Sequence, residues 1–239
     1  MLIIFVFKGN AQYSPFDSWG IGANAGLYGF GIQGATSVSP NVKLRLGVDY
    51  FSFTDKESAE FDIDVVYREY EVTTQARLSD TKIKFPNFKA MVDYYPVANS
   101  IFSITGGFYF GNNSASTNGV IDGYRDLIEV LEDRPVLRYE DIVITPNDDG
   151  SFDGKLVMGN TIKPYVGIGI GRTIPQNRVG VRFELGMVYQ GKYSLSSPNI
   201  NETGDDWYDR LIDELDLPFS ENLLKWWPML NLSLTYRIN

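Results

Sequence analysis

Hydrophobic and polar residues alternate with a period of two in segment after segment of this chain. In Val179–Gln190 the odd positions are Val179, Val181, Phe183, Leu185, Met187 and Tyr189; the even ones are Gly180, Arg182, Glu184, Gly186, Val188 and Gln190. Ile162–Gly171 sets Ile162, Pro164, Val166, Ile168 and Ile170 against Lys163, Tyr165, Gly167, Gly169 and Gly171. Val42–Tyr50 and the last segment, Leu230–Ile238, repeat the pattern. Successive side chains of a strand point to opposite faces, so each segment predicts a strand with one apolar and one polar face. Trp19–Leu27, Tyr28–Val38, Pro86–Tyr95 and Phe102–Gly111 complete a set of eight. Their length, about ten residues, is what a tilted strand needs to cross a bilayer. Alternation in Phe61–Leu78 (Val65, Tyr67, Tyr70, Val72) either extends a hairpin beyond the membrane or adds strands nine and ten.

Alternation does not say which face is inside, because a soluble lipocalin-like barrel alternates too. Three features favour the membrane sense. The polar face is rich in Gly yet punctuated by Lys, Arg, Asp and Glu, which suits a narrow lumen. Aromatics gather near strand ends (Trp19, Tyr50, Phe51, Tyr94, Tyr95, Phe110, Tyr189, Trp226, Trp227, Tyr236), as an interfacial girdle does. Connections alternate between short turns (Ser39–Asn41, Pro96–Ser100, Thr173–Arg178) and long loops (54–81, 112–160, 192–227), apart from a tight first hairpin near Tyr28-Gly29. The three loops hold 26 of the 30 acids, leaving Asp17, Asp49, Asp93 and Glu184. The expected fold is therefore all-β. It is a closed antiparallel transmembrane β-barrel of eight strands (alternatively ten), with short periplasmic turns and long acidic extracellular loops, in the outer membrane of a Gram-negative cell. The acidic stretches Asp205–Leu215 and Asp122–Asp133 carry apolar residues at helical spacing and predict short helices within the loops.

Composition narrows the function. A length of 239 residues fits one domain, placed at 12–239. A net charge of −9 argues against nucleic acid as a partner, since phosphate binding needs clustered cations. The absence of Cys removes disulfides and thiolate chemistry, and the absence of His removes the commonest general base and transition-metal ligand. At the N-terminus, the apolar run Leu2–Phe7, then Lys8 and Gly9-Asn10-Ala11, reads as the remnant of a signal peptide over 1–11, cleaved to leave Gln12; the alternative is an ordinary first strand at Leu2–Phe7.

The segments Pro164–Gly171, Phe183-Glu184-Leu185-Gly186 with Tyr189-Gln190-Gly191, Asp93-Tyr94-Tyr95-Pro96, and a Pro228-led last strand ending Tyr236-Arg237-Ile238 carry a resemblance. Together they make the chain similar to a broad family of small Gram-negative outer-membrane barrels, which includes OmpA/OmpX-type proteins and porins of the ornithine-uptake type. The resemblance spans most strands from Val42 onward and implies a porin-like fold more than a particular activity. One departure is the C-terminus, Ile238-Asn239, where such barrels usually end in an aromatic residue.

The polar face places Lys43, Arg45, Asp49, Lys89, Asp93, Lys163, Arg182, Glu184 and Arg237 in the lumen, with Asn24, Gln33, Tyr165 and Asn231. They read either as a zipped polar core, because eight strands enclose only enough space for side chains, or as a narrow path for small solutes with an excess of positive charge. Arg182 and Glu184 are expected to pair with Asp49, Lys163 and Arg237. The run Asn147–Asp153 invites a calcium reading, but Asp-Gly-rich runs are also turn chemistry and the full calcium-loop spacing is absent. No catalytic residue, metal or cofactor is expected. The leading function is a non-enzymatic, monomeric envelope protein, bedded in outer-membrane lipid and lipopolysaccharide, which stabilises the envelope or meets a surface partner through its acidic loops. A channel for small solutes is the second reading and a lipid-modifying enzyme the third.

Overall fold

The computed structural model describes residues 14–67, 70–98, 100–131, 134–139, 142–203 and 225–239. The leader reading over 1–11, the helix expected at Asp205–Leu215, and Trp207 and Tyr208 lie outside them. Eight strands form a closed antiparallel ring: β1 (Trp19–Gly26), β2 (Gly29–Ser37), β3 (Val42–Asp55), β5 (Tyr70–Tyr94), β6 (Phe102–Phe110), β11 (Ile162–Ile170), β12 (Val179–Tyr189) and β15 (Trp226–Arg237). Each pairs with the next, and β15 closes on β1 from Gly20↔Arg237 to Gly26↔Asn231. All eight strands expected from the alternation are present, with different ends. The short connections share one end of the ring, called here the turn end, with Ser14–Ser18 and the C-terminus. The first hairpin turns at the other end through Leu27-Tyr28, helped by Gly29 at φ +96°.

Burial in the ring is the reverse of a water-soluble protein. Along β11 the odd positions are buried and the even ones exposed. The exposed face carries Ile170 (55%) and, on the neighbouring strands, Val181 (60%) and Leu234 (57%), whereas Lys163, Arg182 and Asp93 inside are at 0%. Trp19, Tyr50, Tyr94, Trp226 and Tyr236 sit exposed near strand ends. Of the other members, Phe110 and Tyr189 are half-buried, Tyr95 is buried inside, and Trp227 turns inward against the interior aromatic cluster.

At the other end, here the loop end, much of what the alternation left as loops is β-structure. β5 has 25 residues. Its lower half pairs with β3 and its upper half with β4 (Ala59–Tyr67), so the alternation in 61–78 extends a hairpin and adds no strand to the ring. Beside it stand β7 (Ser114–Ile121), α1 (Tyr124–Leu131, inside the expected helix 122–133), β8 (Val136–Tyr139), β9 (Ile142–Ile144), β10 (Ser151–Val157), β13 (Ser194–Leu195) and β14 (Ile200–Thr203). Their order across this upper layer is β14-β9-β8-β4-β5-β7-β10-β13. Its two edge strands are consecutive in the chain. Between them Asn199 accepts from Asp153 N at 3.1 Å and donates to Thr145 O at 3.0 Å, tying β10 to the end of β9. The layer packs around an ordinary apolar core of Val65, Ala76, Ile121, Tyr124, Ile144 and Phe152. Ring and upper layer meet on β5 at Asp80, which has φ +53° and lies where pairing with β7 slips between Ser79 and Lys82. This bulge changes the phase of the alternation: Ala76 and Leu78 point to the upper core, whereas Phe85, Asn87 and Lys89 point into the ring.

Candidate functional site: the filled interior of the ring

The inward phase of all eight ring strands delivers polar groups to one narrow space, and glycines across from them make the room. A Cβ at Gly169 would lie 2.5 Å from an Arg182 guanidinium nitrogen, and one at Gly47 would lie 2.8 Å from Lys89 Cε. Gly31 and Gly26 leave space in the same way for Asp49 and Asn231. The Gly-rich polar face is thus the packing complement of long buried side chains.

Four charged groups form the largest cluster. Arg45 donates to Asp93 through Nε (3.2 Å) and Nη2 (3.1 Å), a two-bond fork, and Nη2 also reaches Glu184 at 2.6 Å. Arg182 Nη2 lies 2.7 Å from Glu184 and 3.2 Å from Asp93. Two arginines and two carboxylates therefore neutralise one another. Hydroxyls supply the remaining partners: Thr105, at 2.6 Å, and Thr173 donate to Asp93, Tyr165 donates to Glu184 at 2.8 Å, and Arg182 donates to Ser103 at 2.9 Å and Tyr95 Oη at 3.1 Å. Such saturation is what makes burial of four charges tolerable, because an unpaired charge there would carry a desolvation penalty of several kcal/mol. Further toward the loop end, Lys89 donates to Asp49 (2.9 Å) and Asn24 (3.0 Å). Lys163 donates to Asn87 and to Gly111 O.

A second, less polar layer crosses the ring at this level: Tyr28, Met91, Tyr109, Tyr165, Val188 and Met229. Tyr109 meets Tyr28 and Tyr165 edge to face, at ring separations of 5.2 and 5.6 Å, a favoured arrangement for aromatic pairs. Gln190 accepts from Tyr28 and Asn113, and Asn87 donates to Asn113 at 2.8 Å, so a hydrogen-bonded tier spans the loop end of the interior.

The sequence-predicted set divides on this map. Arg45, Asp49, Lys89, Asp93, Lys163, Arg182 and Glu184 are buried inside the ring with Asn24, Gln33, Tyr165 and Asn231. Lys43 and Arg237 are not: both are half-buried at the turn end, where Lys43 bonds Ser37 Oγ and Ser39 O, and Arg237 bonds Asn239 O. The partners expected for Arg182 and Glu184 also change. Arg45 and Asp93 take that place, Asp49 pairs with Lys89, and Lys163 has neutral acceptors. Alternation could not rank partners, since it gives a face but no height along the axis. It also misses Tyr28, Tyr109, Tyr95, Thr105, Thr173 and Gln190: Tyr95 fits the girdle pattern, and Tyr28 sits in the hairpin turn, where alternation assigns no face.

The Asn147–Asp153 run is a turn. Gly150 at φ +81° closes it, and Asp149 accepts from Ser151 N and Oγ, bonds that hold its carboxyl below the usual range. Among the described residues no three acids converge as metal ligands would.

No protein-family model matches the chain, and no curated protein sequence matches it. Its fold is similar to two crystal structures from Acinetobacter baumannii. CarO2 aligns over 94% of this chain and 100% of its own, with a TM-score of 0.51 at 18% identity. CarO aligns over 91% and 96%, with a TM-score of 0.49 at 19% identity. At that identity the likeness to CarO2 speaks for the fold alone.

Proposed function

We propose that this chain is a non-enzymatic integral β-barrel of the Gram-negative outer membrane, closed to solutes, which holds a folded β-layer on the cell exterior. The observation that carries this reading is the inversion of the ring, with large apolar side chains on its outer face and neutralised charges within. In water, an exposed face of Ile21, Ile32, Phe88, Val166, Leu185 and Leu232 would be an aggregation surface; against hydrocarbon it is the required one. Closure of the sheet leaves no unpaired edge, the other demand a bilayer makes. The filled interior supports a structural role for the ring over conduction. The upper layer, in the region that holds most of the acids, is then what the protein offers to a surface partner, while lipid and lipopolysaccharide contact the ring. The runner-up, a channel, draws on the interior's cation excess (Arg45, Lys89, Lys163 and Arg182 against Asp49, Asp93 and Glu184) and would require the Arg–carboxylate cluster to open.

Reconstitution tests both. The protein should insert into lipid vesicles, migrate differently on gels when boiled and unboiled, and pass no steady current in planar bilayers. A stable ohmic conductance that Glu184→Gln alters would favour the channel. Protein that stays monodisperse in buffer without detergent would end the membrane reading.

A further inference from the structure

We propose that the cavity at the turn end of the ring is a binding site for a phosphate group. The cavity has a volume of about 360 Å³ and opens between the short turns. Lys43 from the start of β3, Arg172 from the β11–β12 connection and Arg237 from the end of β15 line it, and Asp17 is the only acidic side chain among its lining residues. Tyr95 lines it too, and its hydroxyl accepts from Arg182 of the buried cluster.

Each of the three cations is oriented by a backbone oxygen. Lys43 Nζ donates to Ser39 O at 2.9 Å, Arg172 Nε to Ser100 O at 3.3 Å and Arg237 Nε to Asn239 O at 2.8 Å. Lys43 lies within electrostatic reach of both Arg237 and Asp17, so these groups act as one field. Three cationic side chains against Asp17 leave the mouth positive, even when a terminal carboxylate at Asn239 is counted. A phosphate presents its oxygens in a tetrahedral array, so donors from three separate elements can each reach one, whereas a carboxylate is planar. Guanidinium groups suit phosphate oxygens because their hydrogen bonds are charge-assisted and paired.

The location argues independently for an anion. The whole chain is acidic at −9, with 21 cations against 30 acids. At the turn end the ratio is inverted: Arg178 shares an adjacent depression with Arg237, Tyr236 and Ile238, and Asp17 remains the one acidic side chain among the described residues there. A partly enclosed basic mouth on an acidic molecule concentrates anions locally. The phosphate could arrive on a small soluble ester, for which the cavity has room, or on a phospholipid headgroup, since Tyr236 and Ile238 belong to the exposed apolar face. The site rests on the geometry of this mouth alone, so its failure leaves the lipid-facing reading untouched.

Titration calorimetry of the full chain in a non-ionic detergent at low salt tests it, with inorganic phosphate and glycerol 3-phosphate as probes. Saturable one-to-one binding is expected. Lys43→Gln/Arg237→Gln, with folding checked by the boiled-versus-unboiled gel shift, should weaken it at least tenfold, and Asp17→Asn should tighten it several-fold. In nanodiscs, phosphatidylglycerol that displaces glycerol 3-phosphate would identify the lipid headgroup as the source; phosphatidylglycerol discs that leave binding as it is in phosphatidylcholine would identify the soluble ester. Either result supports the site. Absence of saturable binding to phosphate, its ester and phosphatidylglycerol discs alike would overturn it. So would a folded double variant that binds as well as wild type, or an Asp17→Asn variant with unchanged affinity.

Discussion

The ring and the upper layer share the long strand β5 and have opposite interiors. Inside the ring are Arg45, Lys89, Asp93, Arg182 and Glu184, under an apolar skin; inside the upper layer are Val65, Ala76, Ile121 and Phe152, under a skin that includes Arg77, Glu60 and Asp122. A single strand makes the change. β5 exposes Arg77 above the bulge at Asp80 and Phe88, Val92 and Tyr94 below it. Period-two alternation is therefore only a statement that two faces differ. What decides which face is apolar is the medium outside it: on the function proposed above, hydrocarbon surrounds the ring and water the upper layer.

The largest effect is expected inside the ring. Glu184→Gln leaves Arg45 and Arg182 with Asp93 as their one carboxylate, and breaking a buried ion cluster costs about 3–5 kcal/mol. Urea unfolding in detergent should show the loss in the midpoint of the ring transition; an unchanged midpoint would mean the cluster is solvated. Phe152→Ala empties the upper core, and large-to-small changes of this kind cost about 3–5 kcal/mol where the site cannot collapse. Here the loss should be local: amide exchange in β7 and β10 should speed up while β11 and β12 keep their protection. Exchange that rises equally in both regions would show a single cooperative core.

Asn199→Ala should be milder. It removes the clasp between β9 and β10, leaving Asp153 N and Thr145 O short of a partner at about 1–3 kcal/mol, and should admit protease at 194–203 first. The smallest effect is at Tyr124, whose hydroxyl donates to Pro135 O at 2.6 Å and whose ionisation burial pushes upward in pH. Its neutral form is favoured in the fold, so its contribution is intact below the ordinary tyrosine pKa of 10.0 and declines as pH rises above it. Tyr124→Phe should melt slightly earlier at neutral pH, by about 1 kcal/mol, and lose less than wild type between pH 9 and pH 11, as followed by near-ultraviolet circular dichroism.

The ring was legible because its two faces contrast over about ten residues at a time, long enough for a period to declare itself. Seven charged interior residues came with it, since charge on a strand between apolar neighbours has one place to go. The upper layer was legible only in its hairpin over 61–78 and in the helix at Tyr124–Leu131. β8, β9, β13 and β14 are two to four residues long, too short to show a period. The positive-φ residue at Asp80 shifts the phase of β5 without a glycine to mark it. Lys43 and Arg237 obey the same parity as Arg45 and Thr235, and only their position at the strand ends, one step beyond the sealed interior, separates them from the cluster.

The direct test of the inverted ring is spin-label accessibility along β12, for which the chain is well suited because it has no cysteine. Single cysteines placed at 181, 183, 185 and 187 in liposomes should report high collision rates with oxygen and low rates with a water-soluble nickel chelate. At 180, 186 and 188 both rates should be low. Nickel collisions at 181–187 as frequent as at an exposed site of the upper layer, such as 149, would mean that water bathes the apolar face, and the ring would not be a membrane barrel.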